Sequence, residues 1–322
     1  MDLIKEFLSF LAARGRGLEW QDLASELLPQ YLQDSNEAQD QLAFTRSFAA
    51  LRIAGNDDAY RQLVILFWFE NYRGNHESAS YLLTMLGTVG VIESQKARLS
   101  ELQGETLAEQ VFGDLDFPAL GSDLADYPGK INLYLRKLRQ NLDEVACRKV
   151  LAGNHHQLDP EQFAEEKRLF AAASSLAEYL RQKHERLVGE LAKHAANGTL
   201  WFEQRITPRV VDYVREHQEI QTGVLQANRL IVRKIPYDPD AWLGESDPDK
   251  QRYLACHCPF VRESIPAGTR LSSLWCHCTG GFTKLLWDYI FDQPLEVELL
   301  ESILDGDSCC RFAITLPFQA RL

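Results

Sequence analysis

Six of the seven cysteines in this chain fall between Cys256 and Cys310. Four of the six form two Cys-His-Cys triplets, Cys256 to Cys258 and Cys276 to Cys278, and Cys309-Cys310 completes the group. Thiolate sulfur is both a soft-metal ligand and a nucleophile. Such clustering therefore points to zinc coordination, covalent catalysis, or iron–sulfur and redox chemistry. Read as strands, the triplets place residues i and i+2 on one face, so each presents two sulfurs and turns His257 or His277 away. Four sulfurs converge if the two strands are neighbours. Cys309 and Cys310 face opposite sides, and Cys310 is the one expected to join the site. Cys278 stands before Thr279-Gly280-Gly281 and a helix expected over 282–291. Free N–H groups and the helix dipole there would favour its thiolate, which makes Cys278 the candidate nucleophile.

Other polar residues add to this site. Arg262 and Glu263 follow the first triplet and Lys284 follows the second; Arg262 with Lys284 could hold a ligand carboxylate. Glu301 falls on the apolar face of an alternating stretch with Val297 and Leu299, so it reads as a metal ligand or half of a buried pair. Cys147, alone on a helix, reads as a packing residue, and His155-His156 as a loop.

The composition limits the function classes. The chain has 322 residues, 45% of them apolar, with 34 Lys+Arg against 46 Asp+Glu and a net charge of −12. That length can bury a sizeable core. The acidic balance disfavours nucleic acid and anionic membrane as partners. The N-terminus lacks the basic segment, apolar core and cleavage site of a signal peptide. The most apolar run, Leu63 to Phe69, is too short to span a bilayer and reads as a buried helix. A cytoplasmic protein with reduced thiols is expected.

These elements must position the cysteines. Helical periodicity covers residues 1–111, with Ile4, Phe7, Leu8 and Leu11 as its first repeat. Within it Tyr81 to Glu93 has the cadence of a winged-helix segment, but a plain helical bundle is the stronger reading and suits the acidic charge. Glycines and prolines mark residues 112–130 as a linker. Residues 131–322 resume with helices, including a long one from the Asp159 cap to Asn197-Gly198 and another from Thr207-Pro208. Beyond Gln221 the period becomes strand-like at 230–235, 253–259, 271–278, 295–300 and 310–317, with Asp305-Gly306-Asp307 turning between the last two.

The run from Cys278-Thr-Gly-Gly-Phe through Leu295-Glu-Val-Glu-Leu-Leu-Glu to Gly306-Asp-Ser-Cys-Cys-Arg-Phe resembles the C-terminal half of the 4-vinyl reductase domain family. From Arg148 onward the chain is also similar to bacterial proteins with duplicated Cys-x-Cys motifs, and more distantly to aminothiazoline-carboxylate hydrolases. The first resemblance implies a zinc site beside a ligand pocket, with Cys278, Glu301 and Cys310 in the ligand positions. Leu304 stands where a further cysteine would be, so Cys256, Cys258 or Cys276 would have to complete the set. The second resemblance implies hydrolysis of C–N bonds in a small heterocyclic or sulfur compound, by Cys278 or a metal-bound water.

The expected fold is α+β: a helical N-terminal region, then a vinyl-reductase-like domain with an antiparallel sheet. The expected function is binding of a small molecule beside a zinc–thiolate site. The alternatives are a cysteine- or metal-dependent hydrolase and an Fe–S or redox protein, and a homodimer is compatible with each.

Overall fold

The computed structural model describes residues 2–35 and 37–317. It shows an α+β protein: helices make up the N-terminal part, and small antiparallel sheets lie in the C-terminal part. No helix among the described residues is long and apolar enough to cross a membrane.

The chain forms two compact units. Residues 1–89 and 117–127 make the first; residues 90–116 and 128–322 make the second. Residues 90–116 thus group with the C-terminal part, and 117–127 group with the N-terminal helices. The reason lies in the contacts of α6 (Val91–Gln103). Its Ser94 Oγ lies 3.2 Å from His155 Nδ1, and Arg98 Nε donates to the Lys149 carbonyl at 3.0 Å.

The first unit contains α1 (Asp2–Ala13), α2 (Leu18–Ser35), α3 (Gln41–Phe48), α4 (Ala59–Tyr72) and α5 (His76–Leu86). The run from Leu63 to Phe69 supplies the buried stripe of α4, and Phe7 meets Phe69 edge-on at 5.2 Å. The winged-helix cadence resolves into the end of α5, a turn, and the start of α6.

The second unit continues with α7 (Glu105–Phe112), α8 (Tyr127–Asn141) from its second residue on, and α9 (Glu144–Leu151). The single long helix expected from Asp159 is broken. A 3-10 turn (Pro160–Phe163) leads into α10 (Ala164–Ala172), and α11 (Leu176–Asn197) starts afresh. Ser175 is extended and its side chain accepts from the Glu178 N–H, so a second N-cap interrupts the helix. Gly198 ends α11 at φ 63°, as a helix-stopping glycine should. A two-stranded ribbon, β1 (Leu200–Trp201) with β2 (Gln204–Arg205), precedes α12 (Pro208–Glu216), which Thr207 caps.

A four-stranded sheet follows, made of β3 (Val224–Gln226), β4 (Arg229–Arg233), β5 (Val297–Glu301) and β6 (Arg311–Thr315). Its order is β3-β4-β6-β5, antiparallel throughout, with Val232 opposite Phe312 and Leu230 opposite Ile314. Those apolar positions, two apart, share one face. That face packs on α11 through Tyr179 and Leu180, and on the helix α15 (His277–Ile290) through Trp287 and Ile290.

The two Cys-His-Cys triplets are not strands. Residues before the first form α13 (Pro239–Gly244) and α14 (Pro248–Ala255); Asp247 caps α14 by accepting from the Asp249 and Lys250 N–H groups. Residues 273–276 form a 3-10 turn capped by Ser272, and this turn runs directly into α15. Gly280 and Gly281 therefore lie inside the helix instead of turning before it. A Cβ on Gly281 would sit 2.6 Å from the backbone of Ala152 and Gly153, and one on Gly280 would sit 3.3 Å from the Phe312 ring. The glycines permit close packing rather than a turn.

Candidate thiol site

Although the strands fail, five sulfurs still assemble. Cys256 ends α14, its N–H returning to the Arg252 and Tyr253 carbonyls. The chain then turns so that the Val261 and Arg262 N–H groups both reach the Cys258 carbonyl. Cys276 closes the 3-10 turn, Cys278 lies in the first turn of α15, and Cys310 stands immediately before β6. Cys310 is hydrogen-bonded to Cys276. Cys256 interacts electrostatically with Cys310, Cys276 and Cys258, and Cys258 with Cys278. All seven cysteines are free thiols.

The sulfurs differ in their surroundings. Burial pushes the Cys258 and Cys278 thiols up to about 12, even though Cys258 accepts from the Trp275 indole N–H at 3.1 Å and Cys278 has a contact with Gln95. Burial likewise raises Cys256. Although Cys278 lies in the first turn of α15, burial outweighs that position and works against the thiolate expected there.

Cys310 alone is shifted down. The chief cause is its hydrogen bond with Cys276, whose own thiol is raised by that same bond and then by burial. The contact thus favours the thiolate at Cys310 over the one at Cys276. The Ile303 N–H and the Lys234 ammonium also favour that charge. The two residues are further tied by the Lys234 N–H, which donates to the Cys310 carbonyl at 3.0 Å.

Lys234 is itself held in an unusual place. Burial lowers its pKa, while Glu203 and Cys310 oppose the shift, and its Nζ lies 5.1 Å from the centre of the Phe282 ring. Glu203, in the β1–β2 turn, accepts from His257 Nδ1 at 3.1 Å. Burial raises the Glu203 carboxyl, but His257 and then Lys234 overcome this and bring it to about 2. His257 Nε2 faces the Ile235 carbonyl, so both ring nitrogens are engaged. The ring thus bridges Glu203 and the Ile235 carbonyl.

The remaining candidates lie apart. Cys309 Sγ donates to Glu301 Oε2 at 3.2 Å, and Arg311 Nη1 reaches Glu301 Oε1 at 3.1 Å. Glu301 is therefore half of a surface-proximal pair, and the set Cys278, Glu301 and Cys310 is not brought together. Among the described residues no three Cys, His, Asp or Glu side chains form a group that could hold a metal ion. Arg262 stacks on Tyr237 and Tyr253, with its guanidinium carbon 3.7 and 4.2 Å from the ring centres; Glu263 accepts from the Tyr253 hydroxyl at 3.1 Å. Lys284 pairs with Asp288 one turn along α15. These contacts occupy the side chains expected to grip a carboxylate. Cys147 is buried in the core, and His155 is buried with Nε2 2.9 Å from the Val150 carbonyl.

Several contributors carried little sequence signal. Lys234, Glu203, Ser302 and Gln95 each sit far along the chain from the sulfur they influence. The one hint was a lysine ending the apolar strand 230–233. Ser302 Oγ lies 3.3 Å from Cys276 Sγ. Ile303, whose N–H bonds Cys310, lines a cavity of about 580 Å³ together with Arg252, Ser264 and Arg270.

Residues 247–320, which carry all six clustered cysteines, match the model of a family of unknown function, DUF6144. No curated protein and no solved structure matches the chain.

Proposed function

We propose that this protein acts on a small molecule through a reactive thiol, with Cys310 as the nucleophile and Cys276 as the second sulfur of the pair. One observation carries the reading. Cys310 sulfur has the Cys276 thiol, the Ile303 N–H and the Lys234 ammonium about it, and together these outweigh burial and Asp307, as a thiolate needs. Lys234 is placed to hold a proton beside the sulfur, and Glu203 with His257 fixes the charge around it. Cleavage of a C–N bond in a small heterocyclic or sulfur compound is a reaction such a thiolate can start. A reducing, cytoplasmic location would keep the pair as thiols.

A second reading keeps zinc, or less readily an Fe–S cluster, on Cys256, Cys258, Cys276 and Cys310. It is favoured by the mutual interactions of Cys256, Cys276 and Cys310. Binding a metal would require these sulfurs to close around it.

Timed iodoacetamide labelling of anaerobically purified protein, read by peptide mass spectrometry with metal analysis alongside, separates the two. The thiol reading expects Cys310 to label first, with labelling slowed by Lys234→Met. Stoichiometric zinc or iron that protects all four thiols until a chelator is added would overturn it.

A further inference from the structure

Ser302 connects the thiol pair to a second, smaller cavity. Its Oγ contacts Cys276 Sγ at 3.3 Å, and the residue also lines a space of about 190 Å³ with Arg139, Arg148, His277, Glu301 and Asp305. This volume is below that of typical drug-sized pockets and suits a small polar metabolite.

His277 is 4% exposed, and its Nδ1 is buried without a hydrogen-bond partner among the described residues. A buried polar atom left unpaired costs stability, so one lining a cavity implies that something else supplies its partner. His277 is also the first residue of α15, a 14-residue helix.

The charges on the wall narrow what that partner is. Arg148 is paired with Glu144, Glu298 with Arg229, and Glu301 with Arg311. Arg139 and Asp305 remain; both line the space from its exposed rim, and neither forms an ion pair among the described residues. They are of opposite sign. A simple anion would be attracted by Arg139 and repelled by Asp305, and a simple cation the reverse. A molecule bearing both a carboxylate and an ammonium satisfies both.

We infer that this cavity binds a small, amino-acid-like zwitterion. Its carboxylate lies toward Arg139, its ammonium toward Asp305, and a polar group hydrogen-bonds His277 Nδ1. Only the step from ligand to substrate rests on the thiol reading: contact through Ser302 would deliver the zwitterion to Cys276 and Cys310. Binding itself needs neither sulfur.

The test is ligand-observed NMR with calorimetry on the full chain, using the twenty common amino acids as probes, each also as its N-acetyl derivative and its amide. At least one free amino acid should bind saturably, with its blocked forms weaker by about tenfold, the scale of one charge-assisted hydrogen bond. Arg139→Gln, Asp305→Asn and His277→Phe should each weaken it by about as much, with unfolding curves showing that the variants fold. The double variant Cys276→Ser, Cys310→Ser should bind as the parent does, so failure of the thiol reading leaves this result standing, and the reverse. Absence of saturable binding across the panel, equal binding of blocked forms, or binding unchanged in all three wall variants would overturn the inference.

Discussion

Cys276 and Cys310 are hydrogen-bonded side chain to side chain, and this one contact pushes the Cys276 thiol up and the Cys310 thiol down. Removing it has a defined consequence. In Cys276→Ala, Cys310 loses the largest cause of its lowered pKa. Its labelling by iodoacetamide at pH 7 should slow by roughly tenfold, equivalent to one pKa unit, and the midpoint of its labelling profile should move to higher pH. An unchanged profile would mean that Lys234 and the Ile303 N–H alone set the thiolate.

Glu203 ties folding to acid pH. Its carboxyl lies at about 2 in the folded protein against an ordinary value of 4.5. A depressed folded-state value contributes stability that is present above 4.5 and is lost as pH falls toward 2. Glu203→Gln should therefore lower the melting temperature near pH 6 and lose less than the parent on acidification. Parallel melting curves of the two proteins from pH 6 to pH 3 would contradict the role given to His257.

Glu70 behaves in the opposite sense. It is fully buried in the first unit, with Arg73 Nε 3.4 Å away, and burial raises its pKa above 4.5. The folded state then favours the protonated form, so stability falls as pH rises from 4.5 through the folded-state value. Glu70→Gln should stabilise the protein at pH 7 by about 1 kcal/mol and flatten this dependence, measured by chemical denaturation.

Gly281 should tolerate no side chain. Gly281→Ala drives a Cβ into the Ala152–Gly153 backbone at 2.6 Å and should cost ~1–3 kcal/mol of stability. Gly129 in α8, where an added Cβ meets nothing within 4 Å, is the matched control. Gly129→Ala should be neutral or slightly stabilising. Equal effects at the two sites would refute the close approach of α15 to the end of α9.

Alternating apolar residues were enough to locate β4, β5 and β6, and capping residues located α12 and the end of α11. These signals are local: period two for a strand, a short polar side chain before a helix. The same rules misread Cys-His-Cys, because three residues of alternating character fit a helix end as well as a strand. Asp247-Pro248 and Ser272 were the deciding caps, and both lie upstream of the triplets. Gly280-Gly281 reads as a turn until the chain at Ala152 is known to press against it. The partnership of Lys234 with Cys310 was hidden for a different reason. It depends on which residues of β4 and β6 stand opposite each other, and no local pattern near either residue encodes that pairing.

The placing of Arg233 opposite Arg311 therefore has a chemical meaning beyond the sheet. If β6 slipped by one position in the direction that sets Cys309 opposite Lys234, Cys310 would be carried away from it, exchanging the surroundings of the two sulfurs. Strand alignment in this protein thus acts as a selector between two adjacent, chemically identical thiols.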